Sequence, residues 1–184
     1  SDNKTLQPFF RFSAPSITIT PAATTTASQN FQASANLFSS NMVGEKIEFT
    51  DSAGTIVHIS ISGFTDAQNV TGTLSAAIAN TNARDTFKEQ VFSTRKGFAR
   101  SVTFHDQRLI FGGSRDLPNH LFMSKAGEFF NFDVGTGLDD ESIQVQIAEN
   151  QISEIKSLAS FRHLVIFTSE QELFVPTSEN RPLT

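Results

Sequence analysis

The sequence contains no cysteine, no tyrosine and no tryptophan. Without cysteine, the chain has no disulfide framework, no thiolate metal site and no cysteine nucleophile. Carbohydrate sites usually use tyrosine or tryptophan, which combine a flat face with a hydrogen bond, so their absence argues against sugar binding. The aromatic side chains are 19 phenylalanines, which fill cores but carry no polar atom.

Positive charge is also in short supply. The chain has 14 Lys and Arg against 19 Asp and Glu, a net charge of -5. A nucleic-acid clamp would need a basic stripe to neutralise phosphates, so this balance argues against one. No apolar run approaches the ~20 residues of a membrane helix, and no signal peptide is recognisable. We therefore predict no membrane span.

The length and composition predict a globular protein. A chain of 184 residues with 38% hydrophobic residues can bury a core as one domain or two small ones. The chain starts at Ser1 and ends at Thr184, and neither end completes a recognisable pattern. We therefore expect it to be a fragment of a longer protein.

No motif predicts an active site, and we predict neither catalytic residues nor a cofactor. The sequence lacks the nucleophile elbow, the phosphate-binding loop and the zinc-protease helix motif. The four histidines have no metal-ligand spacing, so no metal site is predicted. His58 and His105 lie on the polar phase of their strands, and we expect both to be solvated.

Alternating apolar and polar residues predict an all-β fold. Residues 1–15 are interpreted as an arm or an edge strand, and 16–80 as a small β-sandwich or barrel-like domain. Its clearest hairpin joins 45–50 to 55–62 through a four-residue loop that ends in Gly54. Residues 70–78 fit a strand or a short helix, with the strand slightly favoured. Residues 81–96 are interpreted as a connector with at most one helical turn.

The remaining residues, 97–184, predict part of a β-propeller, about one to two blades. Strands are expected at 101–105, 108–111, 121–123 and 143–147, with Asp106-Gln107 as a tight hairpin corner. Four strands in this length match the ~40–50 residues of one blade, which we assign to 97–149. Three shorter strands follow in an incomplete blade, 150–184. Because a propeller closes with at least four blades, the pattern also favours a fragment.

The segment that opens this blade resembles a known family. Glycines, arginines and alternating apolar residues are followed by a Ser-Lys-x-Gly turn, an aromatic close and the acidic step Asp139-Asp140-Glu141. The chain is similar, from about Phe38 to Pro176, to the tail tubular B (tail nozzle) proteins of short-tailed bacteriophages. The positions carrying this resemblance that we single out are Gly97, Arg100, Phe104, Arg108, Phe111, Gly112, Gly113, Pro118, Ser124, Gly127, Phe132, Asp139 and Asp140.

The resemblance implies a structural virion protein and not an enzyme. A protein of this family would be made in the host bacterial cytoplasm and assembled into the phage tail. It would form a ring with copies of itself, a hexamer in the family it resembles, contact the tail adaptor protein and the tail fibres, and surround a channel. DNA would pass through that channel without tight binding, which suits an acidic wall.

Two features leave other interpretations open. The acidic step Asp139–Glu141 is most simply a solvated loop, with a structural cation as the main exception. It also motivates an alternative function, a glycan-binding or glycan-cleaving propeller, while a general adhesion module is a third option. We expect Arg100 and Arg108 to pair with carboxylates such as Asp106, Asp116 or Glu128.

Overall fold

The computed structural model is all-β, as the alternating pattern predicts. It describes residues 7–135, 138–147 and 153–175. The first six residues of the predicted arm, the start of the incomplete blade and everything from Pro176 onward lie outside these ranges. Within them the chain forms 14 strands and one 3-10 turn at Ser40–Met42, and no α-helix. None of the described residues belongs to a helix that is long and apolar enough to cross a membrane.

The chain divides into two compact units, which are described separately. One comprises Phe9–Gln90, and the other comprises Val91–Thr184 together with Ser1–Pro8.

The first unit is a seven-stranded antiparallel sheet in the order β1-β7-β4-β5-β6-β3-β2. Its core cluster includes Ile47, Phe49, Ile59 and Phe31, all at most 3% exposed. The sheet is open, with β1 and β2 at its edges, so the domain is not closed into a barrel. Its strands are β1 (Phe9–Phe10), β2 (Ile19–Pro21), β3 (Gln29–Ala33), β4 (Lys46–Thr50), β5 (Ile56–Asp66), β6 (Asn69–Leu74) and β7 (Lys88–Gln90).

The predicted hairpin is confirmed as β4–β5, with Ile47 opposite Ile59. The ambiguous segment at 70–78 is resolved as the strand β6, which pairs with β3 and β5. β2 includes Pro21 as its last residue. Proline is tolerated there because β2 is an edge strand and loses no ladder bond on its free side.

The interpretation of 81–96 as a connector is wrong at its centre. Residues Lys88–Gln90 form β7, which pairs with β1 on one side and β4 on the other. Phe87 leads into this strand and is 1% exposed. A strand of three residues is too short to show alternation, so its pairing partners decide that it forms.

The second unit contains a four-stranded antiparallel meander in the order β11-β10-β9-β8 and a three-stranded sheet in the order β12-β13-β14. The four strands predicted for the blade and the three that follow are confirmed as strands. They are β8 (Ser101–His105), β9 (Arg108–Gly112), β10 (His120–Met123), β11 (Ile143–Gln146), β12 (Ile155–Ser160), β13 (Leu164–Thr168) and β14 (Glu172–Val175).

One face of the meander packs against the three-stranded sheet. Ile110, Leu121 and Met123 share a core cluster with Leu158 and Ile166. The other face, which we call the aromatic face, carries Phe111 and Phe122 side by side, and the register adds the apolar Val102 to this row. Both faces of the central strands are therefore apolar, which explains the continuous hydrophobic run in β9.

The predicted corner between β8 and β9 is confirmed as a two-residue turn. Asp106 and Gln107 have φ values of 46° and 59°. Positive φ at both central positions is the signature of the type I′ turn, whose twist matches that of the strands it joins.

Candidate functional site

Two of the resemblance residues, Ser124 and Asp139, meet at a buried arginine at the start of β9. Arg108 is 1% exposed. Its guanidinium donates to three main-chain carbonyl oxygens: Nη1 to Ser124 at 2.8 Å and to Glu141 at 2.5 Å, and Nη2 to Asp139 at 2.5 Å. We call Arg108 and these three acceptor residues the Arg108 junction.

The junction ties two separate loops to one strand. The planar guanidinium presents several N–H groups in a fixed fork, so one side chain can hold several carbonyls at once. Burial lowers the pKa of Arg108, while the carboxylates of Asp140 and Asp106 act in the opposite direction. The charge therefore remains compensated although the side chain is removed from water.

Sequence reasoning expected Arg108 to pair with carboxylates, and its guanidinium also donates to main-chain carbonyl oxygens. The acceptors are backbone oxygens of the acidic step and of the turn after β10, which no sequence pattern identifies. Arg100 does pair with a carboxylate, but with Glu154 at 2.5 Å instead of any predicted partner. Glu154 also accepts from Lys156 at 2.6 Å, and the bonds to Lys156 and Arg100 lower its pKa.

The acidic step is held mainly through its main chain. Asp139 and Asp140 are exposed, and the carboxylate of Asp140 lies 3.6 Å from the ammonium of Lys125. The carboxylate of Glu141 accepts the backbone N–H of Leu138 at 2.8 Å, which closes the loop on itself. Within the described parts of the chain, no group of three or more His, Asp and Glu residues is arranged to hold a metal ion.

Ser124 and Gly127 stabilise the turn after β10. Ser124 is fully buried, and its hydroxyl accepts from Leu109 N–H at 2.9 Å and donates to Lys125 O at 3.1 Å. Gly127 has φ of 73°, which favours glycine, and its N–H donates to Gln107 O at 2.8 Å. The turn after β10 is thereby bonded to the β8–β9 corner.

Gly112 and Gly113 meet different requirements. A Cβ atom at Gly112 would lie 2.9 Å from a methyl group of Leu158, so glycine permits the close approach of the two sheets. Gly113 has φ of 59°, and a Cβ there would lie 2.8 Å from Pro118 O. That same carbonyl of Pro118 accepts the N–H of Ile155 at 2.9 Å and so joins the loop to β12.

The phenylalanines that carry the resemblance differ in how far they are exposed to solvent. Phe111 contacts Phe92 and Phe132 with ring centroids 5.1 and 5.4 Å apart, and Phe132 is buried. Phe104 is 59% exposed and contacts Phe129 edge to face at 5.2 Å. At the entry to the unit, Gly97 has φ of 85° and is bonded in both directions to Ser93.

The expectation that His58 and His105 are solvated is wrong, because they are 8% and 6% exposed. His58 Nε2 lies 3.4 Å from a carboxylate oxygen of Glu48, whose other oxygen lies 3.5 Å from the ammonium of Lys88. His105 Nδ1 lies 2.9 Å from Ser160 Oγ. The sequence does contain a signal for the pair of His58 and Glu48. The predicted β4–β5 hairpin places these two residues opposite each other.

The second unit also contains an apolar cavity of about 370 Å³. Its walls come from β10 and β11 of the meander and from β13 and β14 of the other sheet. Leu121, Met123, Ile143 and Val145 form one side, and Ile166 and Leu173 are among the residues of the other. The cavity lies between the sheets and does not reach the Arg108 junction.

These arrangements position backbone instead of presenting reactive groups. Arg108 binds carbonyl oxygens, Ser124 and Gly127 stabilise a turn, and Gly112 permits a close approach of the two sheets. No protein-family model matches the sequence, and no curated protein matches it.

Proposed function

We propose that this chain is a structural module of a bacteriophage tail nozzle, part of the wall of an oligomeric channel through which DNA passes. The observation that carries the proposal is the meander β8–β11. It has the strand number and order of a propeller blade, and the residues that resemble the nozzle family lie at its turns and sheet contacts.

The proposed task is mechanical, and the Arg108 junction supports it. A wall that conducts DNA needs loops that keep their shape under load. Arg108 fixes the acidic step and the turn after β10 to the sheet by three charge-assisted bonds, a type roughly twice as strong as neutral ones. The net charge of -5 favours passage of DNA without adhesion.

The proposed partners follow from the resemblance. Copies of the protein would form a ring, sixfold as in the family it resembles, in contact with the tail adaptor protein and the tail fibres. The protein would be made in the host bacterial cytoplasm and would end in the tail of the virion.

Immunogold electron microscopy tests the proposal. Antibodies raised against this chain should label the tails of purified virions of the phage that encodes it, at one position on each tail. Virions lacking the protein, or labelled on the capsid instead, would contradict the proposal.

The glycan alternative has a separate test. Wild type and Asp140→Asn are applied to a glycan array, and binding that this substitution abolishes would favour the alternative. The site geometry does not favour it, since Asp139 and Asp140 are exposed and Asp140 is paired with Lys125.

A further inference from the structure

An apolar patch remains exposed on the aromatic face of the meander. It consists of Val102, Phe104, Phe129 and Phe130, which are 56%, 59%, 40% and 60% exposed. We call these four residues the Phe104 patch. Exposed large apolar side chains that are grouped mark interaction sites, whereas single ones are ordinary.

The Phe104 patch is built into the sheet. Val102 and Phe104 are two residues apart on β8 and so point to the same face. Phe104 lies opposite Leu109, and its ring contacts Phe129 in an edge-to-face arrangement. Toward the centre of the sheet this face is already filled, since Phe122 is 1% exposed and Phe92 packs on Phe111. The exposed residues of the patch therefore lie on the edge strand β8 and in the segment after β10 that carries Phe129 and Phe130.

The size of the patch favours a short segment as its occupant. A phenylalanine side chain buries roughly 150–250 Å² when fully covered. Three of them at about half exposure, together with Val102, offer on the order of 400 Å². A stable dimer needs about 800 Å² on each partner, so the patch alone is too small for a second copy of the chain.

Acidic side chains border the patch. Asp106 follows β8 directly, Glu128 precedes Phe129, and Asp139 and Asp140 belong to the loop held by Arg108. Hydrogen bonds bring these segments together, because Gly127 N–H donates to Gln107 O at 2.8 Å and Ala126 N–H donates to Asp140 O at 2.9 Å.

Two cations lie at this end of the described structure. Arg108 is buried in its junction, and the half-buried Lys125 has its ammonium 3.6 Å from Asp140. Since Asp106, Asp139 and Asp140 are exposed, the border of the Phe104 patch presents more negative than positive charge to solvent.

We propose that the Phe104 patch and its acidic border dock a basic segment of another polypeptide, one with lysine or arginine beside apolar side chains. The apolar side chains of the segment cover Val102, Phe104 and Phe130, and its cations lie against the border carboxylates. A guanidinium or ammonium also gains attraction over the face of an exposed phenylalanine ring. This inference is independent of the proposed role in a tail.

Fluorescence anisotropy with two synthetic peptides tests the proposal on the full chain. One labelled peptide alternates lysine and leucine, and the other alternates glutamate and leucine. We expect binding of the lysine peptide only, weakening as salt screens the charges. Phe104→Ser should weaken this binding about tenfold or more, as expected for a central aromatic anchor.

The control variant is Phe161→Ser, which removes a phenylalanine that is 74% exposed on the β12–β13 connection. It should leave the affinity unchanged. The double variant Asp139→Asn with Asp140→Asn keeps the backbone carbonyls and should both weaken binding and flatten its salt dependence. Circular dichroism establishes that each variant is folded.

Several outcomes would overturn the proposal. They are absence of lysine-peptide binding by the wild type, equal binding of both peptides, and equal losses in Phe104→Ser and Phe161→Ser. Sedimentation that finds a dimer abolished by Phe104→Ser would assign the patch to a second copy of the chain instead.

Discussion

At the scale of single residues, Arg108 shows how a charged side chain becomes part of a core. Its burial is tolerated because three carbonyl oxygens replace the water that it loses. Those carbonyls belong to loops far from β9 in the sequence. The residue type could be singled out from the sequence, whereas its partners could not, because any main-chain carbonyl is an equally good acceptor.

Arg108→Met should reduce the free energy of unfolding by about 3 kcal/mol, because one buried and two partly buried carbonyl acceptors lose their donor. Arg108→Lys should recover less than half of this loss, since a single ammonium cannot reproduce the planar fork. Urea unfolding measures both. The matched control, Arg115→Met, removes an arginine whose side chain is 61% exposed and should change stability by less than about 0.5 kcal/mol. A loss below about 1 kcal/mol in Arg108→Met would contradict the role given to the junction.

His120 gives the protein a predictable pH dependence. Burial lowers the pKa of its imidazole from the ordinary value of 6.5, so the folded chain accepts this proton less readily than the unfolded chain. Above pH 6.5 the ring is neutral in the folded and the unfolded chain, so it costs no stability. As the pH falls below 6.5 and through the lowered pKa of the folded state, the unfolded chain takes up the proton first, and the free energy of unfolding decreases. Between about pH 7.5 and about pH 5, wild type should lose more unfolding free energy than His120→Asn. Urea titrations at the two pH values measure the difference, and parallel losses would exclude this contribution.

At the scale of elements, strands with several alternating residues were predictable and the short strand β7 was not. β8, with Val102 and Phe104 between polar neighbours, has a recognisable period of two. β7 has three residues, and its strand conformation depends on β1 and β4, which lie far away in the sequence. Pairing of this kind is non-local, so a window of sequence does not contain the information.

The backbone conformation at the β8–β9 corner has a free-energy cost that can be measured. Gln107 has φ of 59°, a region in which a side chain is unfavourable and glycine is not. Gln107→Gly should therefore stabilise the chain by about 0.5–1 kcal/mol, because Asp-Gly is a preferred type I′ pair. Thermal unfolding measures the gain. The control is Gln144→Gly inside β11, which should destabilise the chain. If Gln107→Gly also destabilises the chain, the side chain of Gln107 contributes more stability than its positive φ costs.

At the scale of the whole molecule, the net negative charge argues against tight binding of DNA. With 14 basic and 19 acidic residues, the chain lacks the cations that would release counterions from DNA. We expect no tight binding to duplex DNA even at low salt, as measured by anisotropy of a labelled duplex with a basic peptide as the positive control. Binding that weakens steeply with added salt would contradict both this expectation and the proposed channel role.

The sequence by itself determined that this protein is all-β, where most of its strands run and which positions form tight turns. It could do so because alternation, glycine and short polar corners act within a few residues of one another. Only the tertiary structure decided that β7 joins a sheet, that His58 and His105 are buried, and that Arg108 holds three main-chain carbonyls. These outcomes depend on atoms brought together from distant segments, where backbone groups that are identical in every residue provide the contacts.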